Sequence, residues 1–210
     1  MDKVLSDRLI FWMAILLTMI FISNVIYFKT NNKSVYKEEY VNRVDPDILQ
    51  DYFPTRPMKK IFKNESKNES FTHLVDLVKD GKVQIKQIDR LSKVVMVYSV
   101  DDEYIRLIYT KELKDNRVGG DFIQDLVPNR NDIILMSPIE EGSSWADDDG
   151  GRYEIIKKDA MVKTPAGTFQ AVLVKYTNDE FTVKEYYAKD IGLIKILVNN
   201  FEAFDLVNIQ

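Results

Sequence analysis

His73 is the only histidine in the chain, and the chain has no cysteine. A Ser-His-Asp triad or a multi-histidine metal site would therefore depend on this one residue. An alternating pattern predicts that His73 lies in a strand, with Phe71, Val75 and Leu77 on the same face. Since the sequence identifies no partner of the catalytic kind, we expect a structural, partly buried histidine rather than a catalytic one.

Carboxylates are the other groups that could carry acid–base chemistry. Asp121, Asp125 and Glu185 could serve a hydrolase as general acid and base. The sequence gives no reason to pair any two of them, so a hydrolase is the third of our hypotheses. We predict a protein that is not an enzyme, with no catalytic residue, no cofactor and no metal site.

Three consecutive aspartates, Asp147 to Asp149, precede Gly150 and Gly151. They suggest calcium, because hard cations bind clustered carboxylates. The spacing of an EF-hand loop is absent from this stretch, and no glutamate closes the loop. Consecutive acids before two glycines more often form a solvated turn, which is the interpretation we favour.

Trp145 and the neighbours Tyr186 and Tyr187 could form an aromatic surface on which a sugar or a peptide stacks. Successive residues of a strand point to opposite faces, so only one of the two tyrosines can share a face with Trp145. Packing in the core is the alternative for Trp145, and it is the one we expect.

Composition limits what these residues can belong to. The 210 residues suffice for one domain plus an appendage, and 45% hydrophobic and 30% charged residues are typical of a globular protein. The net charge of -4 argues against a nucleic-acid partner. Without cysteine the chain has no disulfide, no thiolate chemistry and no lipidated cysteine, while 11 Tyr and 11 Phe favour strands.

Residues Leu9 to Phe28 form an uncharged run of 20 residues, long enough to span a bilayer as a helix. Trp12 and Tyr27 lie near its ends, where aromatic rings prefer the interface. A cleaved signal peptide is the alternative, but its apolar core is shorter and a small-x-small site follows it. Lys29 to Asn32 lack that site, so we predict an uncleaved anchor in the lipid bilayer.

Competing sequence signals indicate on which side of the membrane the C-terminal part lies. Two cations precede the anchor and four follow it, namely Lys3 and Arg8, then Lys29, Lys33, Lys37 and Arg43. This distribution alone would leave the C-terminal part in the cytoplasm. Long domains, however, are translocated largely regardless of charge, and a chain without cysteine suits export. We expect a single-pass protein with an extracytoplasmic C-terminal domain.

The anchor divides the chain into four parts. Residues 1–8 form a short tail, residues 9–28 the transmembrane helix, residues 29–50 a polar stalk and residues 51–210 a β-domain. In the last part, turn signals recur about every ten residues between alternating apolar runs. The turns lie at Asp80-Gly81, Asp101 to Glu103, Pro165 to Gly167, Asn178 to Glu180 and Asn199-Asn200.

About nine or ten strands follow from these turns, and both faces of the strand TFQAVLVKY carry apolar residues. We therefore predict an all-β fold, an antiparallel meander curled into a barrel, half-barrel or sandwich. Residues 112–131 interrupt the meander, and within them DFIQDLV suggests a short helix. This segment either covers one mouth of the barrel or crosses the surface, and we favour the crossing.

Several stretches resemble a known family. They are DYFP at 51–54, PNRNDIIL at 128–135, SPIEEGSSW at 137–145, TPAGTFQAV at 164–172 and EYYAKDIGLIK at 185–195. Together they are similar to a β-rich domain of unassigned role in lipoproteins and membrane-anchored surface proteins of Gram-positive spore-forming bacteria. The resemblance covers residues 51–209 and implies an all-β, extracytoplasmic domain; it supplies no catalytic residue.

The chain departs from this family at one motif. Such domains often begin with a Pro-x-x-x-Gly-x-x-Trp segment, but Met58 and Ile61 replace the glycine and tryptophan in Pro54 to Ile61. A second copy, Pro138 to Trp145, is intact. The near-repetition suggests an internal duplication. The anchor is the other departure, since relatives often carry a lipidated cysteine instead.

Two functions remain after these steps. We expect a membrane-anchored extracytoplasmic β-domain with a non-catalytic binding or envelope-structural role. The alternative is a carrier or sensor of an apolar, lipid-like ligand held inside a curled sheet, because strands are apolar on both faces. Expected partners are the bilayer, through Leu9 to Phe28, and a cell-envelope protein, glycan or lipid.

Overall fold

A computed structural model describes residues 48–113, 119–147 and 150–210, which belong to one compact unit, residues 45–210. These residues form one open antiparallel sheet of twelve strands and a 3-10 helix, Leu49–Tyr52. The strands are β1 (Met58–Asn64), β2 (Glu69–Lys79), β3 (Lys82–Ile88), β4 (Lys93–Val100), β5 (Tyr104–Glu112), β6 (Asp132–Met136), β7 (Ser144–Ala146), β8 (Arg152–Thr164), β9 (Gly167–Thr177), β10 (Thr182–Ala188), β11 (Gly192–Val198) and β12 (Glu202–Ile209). The predicted all-β antiparallel fold is confirmed; β1, β6 and β7 were not among the expected strands.

The strand order is β6-β5-β4-β3-β2-β1-β12-β11-β10-β9-β8-β7. The sheet thus consists of two six-stranded meanders, β1–β6 and β7–β12, which are joined where β1 pairs with β12. The near-repeat found in the sequence lies at the start of each meander, since Met58 begins β1 and Ser144 begins β7. The two copies of this repeat end at Ile61 and Trp145, and these two residues point in different directions. Trp145 faces the core, whereas Ile61 lies on the outer face of β1, opposite to the face of the core residue Met58.

Tight turns set the register of the hairpins. Asp80 and Gly81 have φ of 52° and 66°, and Asn199 and Asn200 have φ of 48° and 62°. Two consecutive positive φ values give a turn whose twist matches that of the flanking strands, and Asp, Asn and Gly tolerate this conformation best. The turns predicted between β2 and β3 and between β11 and β12 are therefore confirmed.

The sheet curls around an apolar core. Its central strand contributes Met58, and its two edge strands contribute Leu135 from β6 and Trp145 from β7 to the same cluster of eighteen buried side chains. The edges are also joined by a connection of only seven residues, 137–143. Both edges of a flat twelve-stranded sheet could not reach one cluster, because neighbouring strands lie about 4.8 Å apart.

One end of this core is closed by residues 48–54, here called the N-terminal cap. Leu49, Tyr52 and Phe53 are buried in the core cluster. The amide of Asp190 donates to the Asp51 carbonyl at 2.6 Å. Gly192, with φ of 73°, lets the cap approach, since a Cβ atom there would lie 2.9 Å from Pro54. The last residues of the predicted stalk therefore belong to the folded unit.

The segment between β5 and β6 contains no helix in its described part, residues 119–131, so the helix expected in DFIQDLV is wrong. This crossing segment lies over the outer face of the sheet. The Gln84 side chain donates to the Gly120 carbonyl at 2.9 Å and accepts from the Phe122 amide at 2.7 Å. These bonds replace the internal hydrogen bonds of a helix and fix the segment to β3.

A β-bulge in β2 places Leu77 on the face opposite to the predicted one. Phe71, His73 and Val75 share the inner face of β2, as expected. The register against β3 then shifts between Val75 and Leu77, so that Leu77 opposes Gln84 on the outer face. The extra residue, Asp76, reverses the alternation beyond it, and Val78 packs against the core instead.

The predicted anchor, Leu9 to Phe28, and most of the stalk lie outside the described residues. Among the residues that the structure does describe, no helix is long and apolar enough to cross a membrane.

Candidate functional site

Ionisable side chains lie inside the sheet in two separate groups. The cation cluster consists of Lys60, His73 and Gln87 on the inner faces of β1, β2 and β3. The carboxyl cluster consists of Glu185 with the tyrosines around it, Tyr98, Tyr153 and Tyr187. Buried ionisable groups are where functional sites are commonly found, so these two clusters are the candidates.

Strand register builds the cation cluster. Lys60 is the Cα partner of His73 across β1 and β2, and His73 is the partner of Gln87 across β2 and β3. Lys60 is 1% exposed, and its Nζ donates to the carbonyls of Ile191 and Leu193 at 2.9 and 3.0 Å. The lysine therefore ties β1 to the start of β11 from inside the sheet.

Burial dominates the electrostatics of this cluster. It lowers the pKa of Lys60 to about 7. Burial, together with the charge of Lys60, lowers the pKa of His73 to about 3, although the hydrogen bond with Gln87 acts in the opposite direction. The bond joins His73 Nε2 and Gln87 Oε1 at 3.0 Å. His73 is therefore neutral at physiological pH.

The surroundings of His73 are aromatic. The rings of Phe62 and Phe71 lie 5.2 and 5.1 Å from the imidazole, centroid to centroid. Nδ1 is buried and makes no hydrogen bond. The imidazole is neutral, it is enclosed by two phenyl rings, and its one hydrogen bond goes to an amide, so its position favours packing over proton transfer.

The carboxyl cluster lies across the core, on β4, β8 and β10. Glu185 and Tyr187 share the inner face of β10, and the Tyr187 hydroxyl donates to Glu185 Oε2 at 2.7 Å. Burial raises the pKa of Glu185, and the bond from Tyr187 opposes this shift. Burial also raises the pKa values of Tyr98 and Tyr153, and the charge of Glu185 contributes to both. The cluster thus combines one carboxyl group with neutral phenols.

The three carboxylates considered for a hydrolase occupy different places. Glu185 lies in the core, whereas Asp121 forms an ion pair with Lys79 at the surface, and Lys79 lowers the pKa of Asp121. Asp125 belongs to the crossing segment, where its φ is 57°. The fold therefore gives Glu185 neither of the other two as an acid–base partner.

Trp145 packs in the core, the alternative favoured above. It is 8% exposed, it stacks on Tyr153 with ring centroids 5.3 Å apart, and its Nε1 donates to the Ile133 carbonyl at 2.9 Å. Tyr187 belongs to the same core cluster, while Tyr186 lies on the other face of β10. An exposed stacking surface made by these residues is thereby ruled out.

The aspartate run contributes a turn. Asp147 Oδ1 accepts the amide of Gly151 at 2.6 Å, and the Asp147 amide donates to the Gly151 carbonyl. Asp148 and Asp149 lie outside the described residues. Within residues 48–113, 119–147 and 150–210, no group of three or more His, Asp or Glu side chains is arranged to hold a metal ion.

Sequence reasoning missed Lys60 and the pairing of Glu185 with Tyr187. Both had a signal. Met58, Lys60 and Phe62 alternate as the inner residues of a strand, and Glu185 and Tyr187 stand two apart, which places them on one face. The signal was overlooked for Lys60 because a strand pattern that places a lysine inside contradicts the usual exposure of this residue.

No family model matches the chain. Two curated relatives, 3-phosphoshikimate 1-carboxyvinyltransferases from two strains of Streptococcus thermophilus, are 30% identical over 88 residues. The match covers 41% of this chain and only 18% of each enzyme, so the chain spans less than a fifth of the curated relatives it matches. A likeness of this extent does not show a family.

Two solved structures are similar in outline. One is a protein assigned as exported, with a YmcC-like fold, from Bacteroides fragilis; its TM-score is 0.44 at 14% identity, over 75% of this chain and 98% of that one. The other is a protein assigned as a lipoprotein from Parabacteroides distasonis; its TM-score is 0.37 at 15% identity, over 76% of this chain and 98% of that one. TM-scores below 0.5 do not establish a shared fold.

Proposed function

We propose that this chain is a membrane-anchored, extracytoplasmic β-domain with a non-catalytic binding or structural role in the cell envelope. One observation supports the non-catalytic part. The ionisable groups Lys60, His73 and Glu185, which are buried on the inner face, are each engaged by the fold itself, through two main-chain carbonyls, a glutamine and a tyrosine. A substrate would have to displace these internal bonds to reach them.

The filled core also argues against the carrier alternative. Eighteen buried side chains form one cluster inside the sheet, and three of them, Leu49, Tyr52 and Phe53, come from the N-terminal cap. Small curled sheets hold a ligand when their interior is left open, and here side chains occupy it. Native mass spectrometry of the chain purified in detergent is expected to show no co-purifying lipid; a retained lipid of fixed mass would favour the carrier.

The location can be tested with the full chain, because it has no native cysteine. Phe201 is 86% exposed in the β11–β12 turn, so Phe201→Cys provides a single accessible thiol. We expect a membrane-impermeant maleimide to label it in intact cells. Asp2→Cys, on the other side of the predicted anchor, is the matched control and should react only after permeabilisation. Labelling of the two positions in the reverse order would refute the proposed topology.

The non-catalytic role has a separate test. In a strain that lacks the protein, the Glu185→Gln chain should restore the same envelope phenotype as the wild-type chain, since an amide can still accept the Tyr187 hydrogen bond. Full expression of a stable Glu185→Gln chain that fails to restore the phenotype would show that the carboxyl group itself is needed.

A further inference from the structure

The two six-stranded meanders meet at two seams, which are held together differently. At the β1/β12 seam, four pairs of residues are matched, from Lys60 opposite Ile209 to Lys63 opposite Asp205, with a register shift between Ile61 and Phe62. The main chains of Lys59 and Gln210 extend this seam with two reciprocal hydrogen bonds of 2.9 Å. This seam is therefore a main-chain ladder with one irregularity.

At the β6/β7 seam the ladder is missing, because β6 pairs only with β5 and β7 only with β8. A hydrogen bond across it is made by a side chain, the indole of Trp145, which donates to the carbonyl of Ile133. We propose that the fold opens locally at the β6/β7 seam and that the Trp145 indole is the latch that closes it.

The latch lies at the end of a row of rings that leads into the core. Trp145 stacks on Tyr153 with an angle of 4° between the rings, and Tyr153 contacts Tyr176 at 4.7 Å between centroids. Tyr153 is also one of the tyrosines of the carboxyl cluster, since the charge of Glu185 contributes to its raised pKa. Displacement of the indole therefore uncovers the ring of Tyr153, a member of that cluster.

The relative strength of the two seams decides where opening occurs. Opening β1/β12 breaks a series of main-chain bonds in the middle of the sheet, whereas opening β6/β7 breaks no strand ladder and releases the hydrogen bond from Trp145 to Ile133. Local openings range from nearly free to as costly as global unfolding, and the least bonded element opens first. Loss of one neutral hydrogen bond corresponds to about a fivefold change in the opening equilibrium.

Hydrogen exchange of the full chain in detergent micelles tests this directly. We expect amides of β6 and β7 to exchange about tenfold or more faster than those of β1 and β12. Trp145→Phe keeps an aromatic ring but removes the N–H donor, and it should raise exchange at β6 and β7 about fivefold while β1 and β12 stay unchanged. Tyr187→Phe is the matched control, since it also removes one buried hydrogen bond but lies in β10.

A second measurement separates opening of the core from fraying of edge strands. Val174 is 1% exposed and is the Cα partner of Glu185, so Val174→Cys places a thiol inside the core. Maleimide should label it faster when Trp145→Phe is added. Val95→Cys, buried on the outer face of β4, is the control and should not respond.

Each outcome decides the matter. Equal exchange at the two seams, or a Trp145→Phe effect spread over all strands, overturns the proposal. Faster exchange at β6 and β7 without faster labelling of Val174→Cys means simple fraying, and it overturns the latch as well. The comparison of the two seams in the wild-type chain needs no variant, so the proposal stays testable even where a substitution prevents folding.

Discussion

The β1/β12 and β6/β7 seams join the same two halves of the molecule, yet one uses the main chain and the other a side chain. Beside the first seam lie Phe62 and Lys60, both fully buried. At the second, a three-residue strand meets a five-residue strand through Trp145. A curled sheet can thus bring its edges together without pairing them, provided that a large side chain reaches across.

This arrangement also protects an apolar edge. Strand β6 has the sequence DIILM, and an unpaired strand of this kind invites pairing with another chain. Trp145 covers it from β7, and Ile139 of the connecting loop is buried in the same core cluster. The seam therefore avoids the hazard of an open edge by covering it.

The largest effect that distinguishes the seams is expected from Phe62→Ala. Phe62 is 0% exposed, it is opposite Leu206 in β12, and it stacks on Phe71 at 4.7 Å. We expect a loss of about 3–5 kcal/mol in the free energy of unfolding, measured by urea titration of the full chain. Ile61→Ala, on the outer face of the same strand, is the control. A loss as large for Ile61 as for Phe62 would mean that the inner face does not stabilise this seam.

A smaller effect is expected near the β6/β7 seam from Gly151→Ala. A Cβ atom at Gly151 would lie 2.5 Å from the Cζ atom of Tyr176, in the row of rings behind Trp145. We expect a loss of about 1–3 kcal/mol in thermal or urea unfolding, from overpacking. Gly150→Ala is the neighbouring control, with open space around its Cβ position but a φ of 87°. Because only Gly150 of the two glycines has a positive φ, a loss in Gly150→Ala reports backbone strain, whereas an unchanged stability of Gly151→Ala would mean that the Tyr176 ring moves aside.

Two buried groups, His73 in β2 and Glu185 in β10, should make the stability of the fold respond to pH with opposite signs. Folding lowers the pKa of His73 from 6.5 to about 3, so between these values only the unfolded chain is protonated there. Stability should therefore fall as the pH drops through this window, by at most about 1.4 kcal/mol per pH unit. His73→Gln should flatten this acid-side loss in urea midpoints measured at several pH values.

Glu185 behaves in the opposite way. Folding raises its pKa above 4.5, so the folded chain holds a proton that the unfolded chain has already released. The stabilisation that Glu185 contributes to the free energy of unfolding is fully present at acid pH. It is lost as the pH rises through the folded-state pKa. Glu185→Gln should remove that loss while leaving the acid limb of His73 unchanged. Identical pH profiles for Glu185→Gln and the wild type would show that Glu185 is ionised in the folded chain.

The smallest effect is expected outside the core. Lys195 and Asp205 form a partly exposed ion pair at 2.7 Å between β11 and β12. A double-mutant cycle with Lys195→Met and Asp205→Asn should give a coupling of about 0.2–1 kcal/mol that weakens with salt. A coupling above about 2 kcal/mol would mean that surface charge, as well as the ladder, distinguishes this side of the sheet.

The hairpins could be predicted because their signals are local. Asp80-Gly81 and Asn199-Asn200 favour positive φ by their chemistry, and alternation over seven or more residues defines the strands beside them. The short strands β6 and β7 have five and three residues, too few for a period to be recognised. The bulge at Asp76 was also not predictable, because an extra residue is defined only by the partner strand.

The contacts of the candidate functional site could also be predicted only in part from the sequence. Alternation places His73 on an inner face, but its contact with Lys60 depends on the register of β1 against β2, which the sequence does not specify. Likewise, nothing local indicates that the indole of Trp145 meets the carbonyl of Ile133. Contacts between residues far apart in sequence follow from the curl of the whole sheet.

The N-terminal cap and Gln210 lie at one end of the β1/β12 seam, since the main chain of Gln210 bonds that of Lys59. Tension applied between Ile48 and Gln210 would first pull the N-terminal cap out of the core. It would then load the hydrogen bonds between β1 and β12 one after another. Antiparallel ladders have their bonds perpendicular to the strands, so such a pull does not shear them together. The β1/β12 seam, which we expect to be the last to open spontaneously, is therefore the one whose bonds this pull breaks one at a time.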